Sequence, residues 1–95
     1  MLPAIQSHYQ ELLEKILRAS SQDAVKYQID AFMDLLQQMG TDEVKMKHIL
    51  IEMQTHLDQC NPLHYDAQQW SNIKMADIYC FEIQQSLSGI HYSSL

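Results

Sequence analysis

The segment DAQQWSNIKMADIYCFEIQQSL, residues 66–87, decides the fold, because it reads as a helix that is apolar on nearly every side. One stripe recurs with the 3.6-residue period of an α-helix and consists of Ile73, Ala76, Cys80, Ile83 and Leu87. Met75 and Ile78 lie on the opposite face of this helix, with Tyr79 and Phe81 on its shoulders. Such a helix is either central in its own fold or docked against another protein, since exposing it to water is costly.

Three further segments show the same helical period. The sequence predicts helices at about 3–18, 22–39, 42–60 and 67–88. The apolar stripes of the first three are Ile5, Tyr9, Leu12, Leu13 and Ile16; then Val25, Ile29, Phe32, Leu36 and Met39; then Met46, Ile49, Leu50, Met53, Leu57 and Cys60. Almost the whole chain is therefore expected to be helical.

The ends of these helices are marked by residues that cap helices. The expected N-terminal caps are Ser20 or Ser21, Thr41, and Asp66 paired with Gln69. Gly40 is expected to end the second helix and Gly89 the fourth, before a tail over residues 91–95, while Asn61 and Pro62 end the third.

Connections of about two to six residues favour antiparallel packing of successive helices. We therefore predict that residues 1–95 form one domain, a small antiparallel four-helix bundle. The alternative is a core of three helices whose fourth helix lies in an oligomer interface.

Charge and hydropathy exclude several classes of partner. The chain carries 12 acidic residues against 6 Lys plus Arg, a net charge of -6, so a nucleic-acid backbone should repel it. No window approaches the roughly 18 apolar residues of a membrane span, and no basic region precedes an apolar run near the N-terminus. We expect a cytoplasmic protein whose partners are basic or neutral proteins.

Two rows of side chains have spacings that resemble those of metal ligands. His48, Glu52 and His56 lie four residues apart, but helical geometry turns this row away from the predicted core and towards water. His56, Cys60 and His64 are spaced in the same way, but Pro62 interrupts the helix between the last two. We therefore predict no metal site, and no other cofactor.

The remaining reactive groups also favour structural roles. Asp77 lies at the edge of the main stripe of the fourth helix, where it is a buried acid with a raised pKa or, as we expect, a boundary residue. As a boundary residue it would reach towards water or pair with a lysine, either Lys74 or one across the interface. Cys60 and Cys80 are too far apart in an antiparallel hairpin to form a disulfide, and no glycine-rich loop accompanies either as an oxyanion hole. We predict two free thiols and no enzymatic activity.

The sequence therefore predicts a non-enzymatic interaction protein, namely an adaptor, chaperone or inhibitor that acts through an apolar face of its C-terminal helix. The predicted contact residues are Met75, Ile78, Tyr79, Phe81 and, on the third helix, Ile51. The partner would be a basic or neutral protein or a second copy of the chain. A helical bundle that binds a ligand or a metal ion is the alternative function.

Overall fold

The computed structural model describes residues 3–93, and the side chains of residues 5–87. Its helices are α1 Pro3–Arg18, α2 Gln22–Gln38, α3 Glu43–Asp58 and α4 Ala67–Ser93, with a short 3₁₀ turn at Pro62–His64 before α4. No strand occurs within residues 3–93. The predicted all-α class and four-helix bundle are confirmed.

Helix α4 is the central element of the bundle, because it packs against α1, α2 and α3. Helix α3 runs antiparallel to it, because Asp77 faces Asp58 near the end of α3, whereas Gln84, further along α4, bonds Gln54, which lies earlier in α3. This central position explains the wide apolar arc of α4, and it is the arrangement of a four-helix bundle rather than of a three-helix core with a detached helix. The core consists of Ile5, Tyr9, Leu12, Ile16, Val25, Ile29, Phe32, Met33, Leu36, Met46, Ile49, Leu50, Met53, Leu57, Ile73, Ala76 and Cys80.

The turn between α2 and α3 differs from the prediction in one residue. Gly40 has a φ of +79°, and its N–H donates to Gln37 O while Thr41 N–H donates to Leu36 O. Thr41 is thus part of the C-terminal cap of α2. The N-terminal cap of α3 is Asp42, whose Oδ1 accepts from Lys45 N at 2.8 Å, so the prediction of Thr41 in this role is wrong.

Two of the other predicted N-terminal caps are present in the structure. Ser21 caps α2 by accepting from Ala24 N, and Asp66 and Gln69 each accept from the backbone N–H of the other at the start of α4. The predicted stop at Gly89 is wrong, because α4 continues through it to Ser93. A glycine inside a helix costs only about 1 kcal/mol relative to alanine, so a long helix tolerates one. Residues 94 and 95 of the predicted tail lie outside the described residues.

Candidate functional site

The side of α4 that faces away from the bundle carries two large exposed apolar residues. Ile78 is 54% exposed and Phe81 is 50% exposed, although both lie in the middle of the longest helix. Lys74 and Gln85 continue the same row and are also exposed. These four residues step at i, i+4, i+7 and i+11, which places them on one side of a helix. We call them the outer face of α4.

The other predicted contact residues on α4 are partly used by the bundle itself. Met75 and Tyr79 are half-buried and pack against the core. The hydroxyl of Tyr79 donates a hydrogen bond of 2.6 Å to Asp30 Oδ1 on α2. Met75 and Tyr79 therefore form one edge of the outer face rather than its centre.

On the opposite edge, Ile51 lies beside the junction of α3 and α4. Its side chain is 46% exposed, and Gln54, one turn further along α3, bonds Gln84 of α4 at 2.7 Å. Gln84 in turn follows Phe81 by one turn. Four of the five predicted contact residues lie on α4, and Ile51 lies on α3 one turn before Gln54; Ile78, Phe81 and Ile51 are the most exposed of the five.

An acidic pair lies at the same edge, where Asp77 directly precedes Ile78 and lies one helical turn before Phe81. Asp77 of α4 faces Asp58 and Gln54 of α3, and its Oδ1 is buried without a hydrogen-bond partner among the described residues. Burial, together with the hydrogen bond and charge of Asp58, raises the pKa of Asp77, against the smaller influence of Gln54 and Lys74. Asp77 therefore releases its proton at a higher pH than an exposed aspartate does.

Asp77 therefore departs from its predicted pairing with Lys74. The Lys74 ammonium lies 4.6 Å from the centre of the Trp70 ring, over its face, where it makes a cation–π contact. Asp77 is at the predicted boundary, but its nearest charged neighbour across the helix interface is another acid. Sequence periodicity could not reveal Asp58, because the contact depends on the register of α3 against α4.

The two rows with ligand-like spacing do not form a site. His48, Glu52 and His56 are exposed, and the His56 ring lies edge-on to Tyr9 with centroids 6.2 Å apart. No three His, Cys, Asp or Glu side chains gather as metal ligands within the part of the chain that the structure describes. Cys60 and Cys80 are both free thiols. Burial, with a smaller contribution from the charge of Asp77, raises the pKa of Cys80 to about 12.

A groove with a volume of about 560 Å³ lies at the turn between α2 and α3. Met39 and Val44, both exposed, line it together with Ile5 and Ile49. Lys45, His48 and Glu52 supply polar groups at its wall. Met39 belongs to the predicted stripe of α2, but it is the C-terminal cap of that helix, where the chain turns away from the core.

Sequence reasoning missed the one buried polar residue of the described side chains, Asn72. Its Nδ2 donates to Ile16 O at 2.9 Å and to Ala19 O at 2.8 Å, and its Oδ1 accepts from Gln68 Nε2. Asn72 thus satisfies carbonyl groups at the C-terminal end of α1, which lack partners within their own helix. The position of Asn72 directly before Ile73 of the apolar stripe was the signal in the sequence that could have indicated its burial.

None of the described helices combines the length and the apolar character needed to cross a membrane. No protein-family model, curated protein or solved structure matches this chain.

Proposed function

We propose that this protein is a non-enzymatic protein-binding module, acting as an adaptor, chaperone or inhibitor through the outer face of α4 and its edges. The observation that supports this proposal is the exposure of Ile78 and Phe81 on a helix whose other large apolar side chains between residues 70 and 87 pack in or against the core. Water-exposed apolar residues that lie side by side are typical of interaction sites. The occupant is a partner protein or a second copy of the chain.

The absence of a convergent polar set on this face supports binding rather than catalysis. Ile78 and Phe81 carry no reactive group, and their neighbours in the row are Lys74 and Gln85. Cys80, the thiol in the middle of α4, is buried, and its burial raises its pKa to about 12, so its thiolate is scarce at neutral pH.

The proposal is tested with the double variant Ile78→Ser/Phe81→Ser beside the control Val44→Ser. Val44 is 68% exposed but lies on α3 at the groove, so the control removes an exposed apolar side chain elsewhere. We expect the double variant alone to lose the partner that copurifies with the full chain from its host, or to lose self-association in light scattering. A wild-type chain that is monomeric and whose complexes survive the double variant would refute the proposal.

The groove between α2 and α3 supports a second candidate function, the binding of a small ligand. Its volume of about 560 Å³ lies within the range of small-molecule sites, and it combines apolar walls with Lys45, His48 and Glu52. A bound ligand at a hundred times its dissociation constant would stabilise the protein by about 2.7 kcal/mol. A thermal-shift screen that includes zinc and iron, repeated with Val44→Ser and His48→Ala, tests this candidate.

A further inference from the structure

Carboxylates flank the outer face of α4 on both sides. On the α2 side, Tyr79 bonds Asp30 and lies near Glu82; the hydrogen bond to Asp30, with burial and the charges of both acids, raises the pKa of Tyr79 to about 12. On the α3 side, Asp58 faces Asp77. The exposed apolar residues therefore lie between two acidic borders.

The lysines near this face are directed at aromatic rings. The Lys74 ammonium lies over Trp70, and the Lys26 ammonium lies 5.6 Å from the centre of the Tyr79 ring. Around the outer face there are thus more carboxylates than ammonium groups, in a chain whose net charge is -6. The four carboxylates are those of Asp30, Asp58, Asp77 and Glu82, and the two ammonium groups are those of Lys26 and Lys74. The potential at this face is negative, which favours a cationic partner.

The length and spacing of the exposed row suit a helix as the occupant. The row from Lys74 to Gln85 spans about 16 Å along α4, or three turns, at 1.5 Å per residue. An amphipathic helix lays its apolar residues along such a row at the same i, i+4, i+7 spacing. Lysine or arginine on both flanks of that helix would meet the two acidic borders.

A second copy of the chain fits this face less well. In a twofold symmetric dimer the same patch lies on both sides of the interface, so the four carboxylates would meet the same four carboxylates. Like charges placed against each other weaken an association. We propose that the outer face of α4 binds a basic amphipathic helix of another protein; this inference rests on the proposed function and specifies its partner.

The test uses two synthetic peptides of about 18 residues, because shorter isolated helices are marginal in water. Both carry leucine along one helical stripe; one has lysine on both flanks of the stripe and the other has glutamate. We expect the lysine peptide to bind at least about tenfold more tightly at about 0.05 M salt. This advantage should shrink at about 0.5 M salt, where the Debye length falls from roughly 14 to 4 Å.

Matched variants separate the apolar and the charged contributions. Ile78→Ser/Phe81→Ser should weaken binding of the lysine peptide about tenfold or more. Asp58→Asn/Glu82→Gln should weaken it about threefold at low salt and leave the weak affinity of the glutamate peptide equal or higher. The controls are Val44→Ser for the first variant and Glu11→Gln/Glu14→Gln, an equal change of charge on α1, for the second; each should change affinity less than about twofold.

Mapping of amide chemical shifts during the titration distinguishes the outcomes. Shifts centred on Ile78 and Phe81 with the lysine peptide preferred support the proposal. Equal binding of both peptides at this face, or self-association that the Ile78→Ser/Phe81→Ser variant abolishes, overturns the basic helix but leaves the proposed function standing. If neither peptide binds at this face, the proposal of a basic helix as partner is also refuted. The proposed function is then tested separately by whether Ile78→Ser/Phe81→Ser loses the partner that copurifies from the host.

Discussion

Replacing Asn72 with alanine should destabilise the bundle far more than its polar character suggests. The side chain is fully buried, and its amide donates to two carbonyl groups at the end of α1. Ile16 O also accepts from Ala19 N, so the variant leaves Ala19 O as the group that loses its donor. Asn72 is thus a C-terminal cap of α1 supplied by α4.

The expected cost follows from these contacts. Two buried hydrogen bonds contribute about 1 kcal/mol each, and the space left by the amide adds about 1 kcal/mol. The sum of about 3 kcal/mol is a large part of the roughly 5–14 kcal/mol expected for a 95-residue domain. At about 4–8 °C per kcal/mol, the melting temperature should fall by about 12–24 °C.

Urea unfolding followed by circular dichroism measures this cost. The matched control is Gln68→Ala, which removes only the exposed donor to Asn72 Oδ1 and should cost less than about 1 kcal/mol. Asn72→Asp should be at least as harmful as alanine at pH 7, because it places a carboxylate against two carbonyl oxygens. The reasoning would be refuted by an Asn72→Ala variant within about 0.5 kcal/mol of wild type, or by equal costs for Gln68→Ala and Asn72→Ala.

Three further predictions concern stability, pH and thiol reactivity. Gly40→Ala should lower the free energy of unfolding by about 1–2 kcal/mol, because Gly40 has a positive φ. Gly89→Ala should raise it by about 0.5–1 kcal/mol, because α4 passes through Gly89. Changes of the same sign in urea unfolding would contradict these two backbone assignments. Burial and a facing carboxylate raise the pKa of Asp77 in the folded state. The contribution of protonated Asp77 to stability is therefore fully present below the unfolded pKa of about 3.9, and it is lost as pH rises through the folded pKa. Asp77→Asn should therefore raise the melting temperature at pH 7, and the gain should vanish below about pH 4; a gain that is independent of pH would rule out titration as its cause. In the native protein a disulfide reagent should modify Cys60 and spare Cys80, whose burial raises its pKa to about 12; equal rates would show that the core opens readily.

Periodicity and caps predicted the helices well because both are local. Most residues of the stripes of α1, α2 and α3 lie in the core, with Met39 exposed and Leu13 and Cys60 partly buried. Ser21 and Asp66 cap the helices that they were expected to cap. The wrong assignments have a different origin. Thr41 belongs to the C-terminal cap of the preceding helix, α2. Gly89 lies within α4, which is long enough to tolerate a glycine.

The contacts that depend on helix register could not be predicted in the same way. Asn72 finds its partners 53 and 56 residues away, and Asp77 meets Asp58 only because α3 and α4 pack antiparallel in one particular register. A helical projection gives the direction of each side chain but not the residue opposite to it. For this reason the sequence indicated the outer face of α4 without its acidic borders.

The central position of α4 limits how much of its apolar character needs a partner. A helix that contacts three others must be apolar over a wide arc, so Ile73, Ala76 and Cys80 require no explanation beyond the fold. Ile78 and Phe81 lie outside that arc and are half exposed, so they gain nothing comparable from the bundle. Substitution by serine should therefore leave the melting temperature within a few degrees of wild type. A large loss of stability would mean that both residues serve the fold, and the case for a binding face would fall with it.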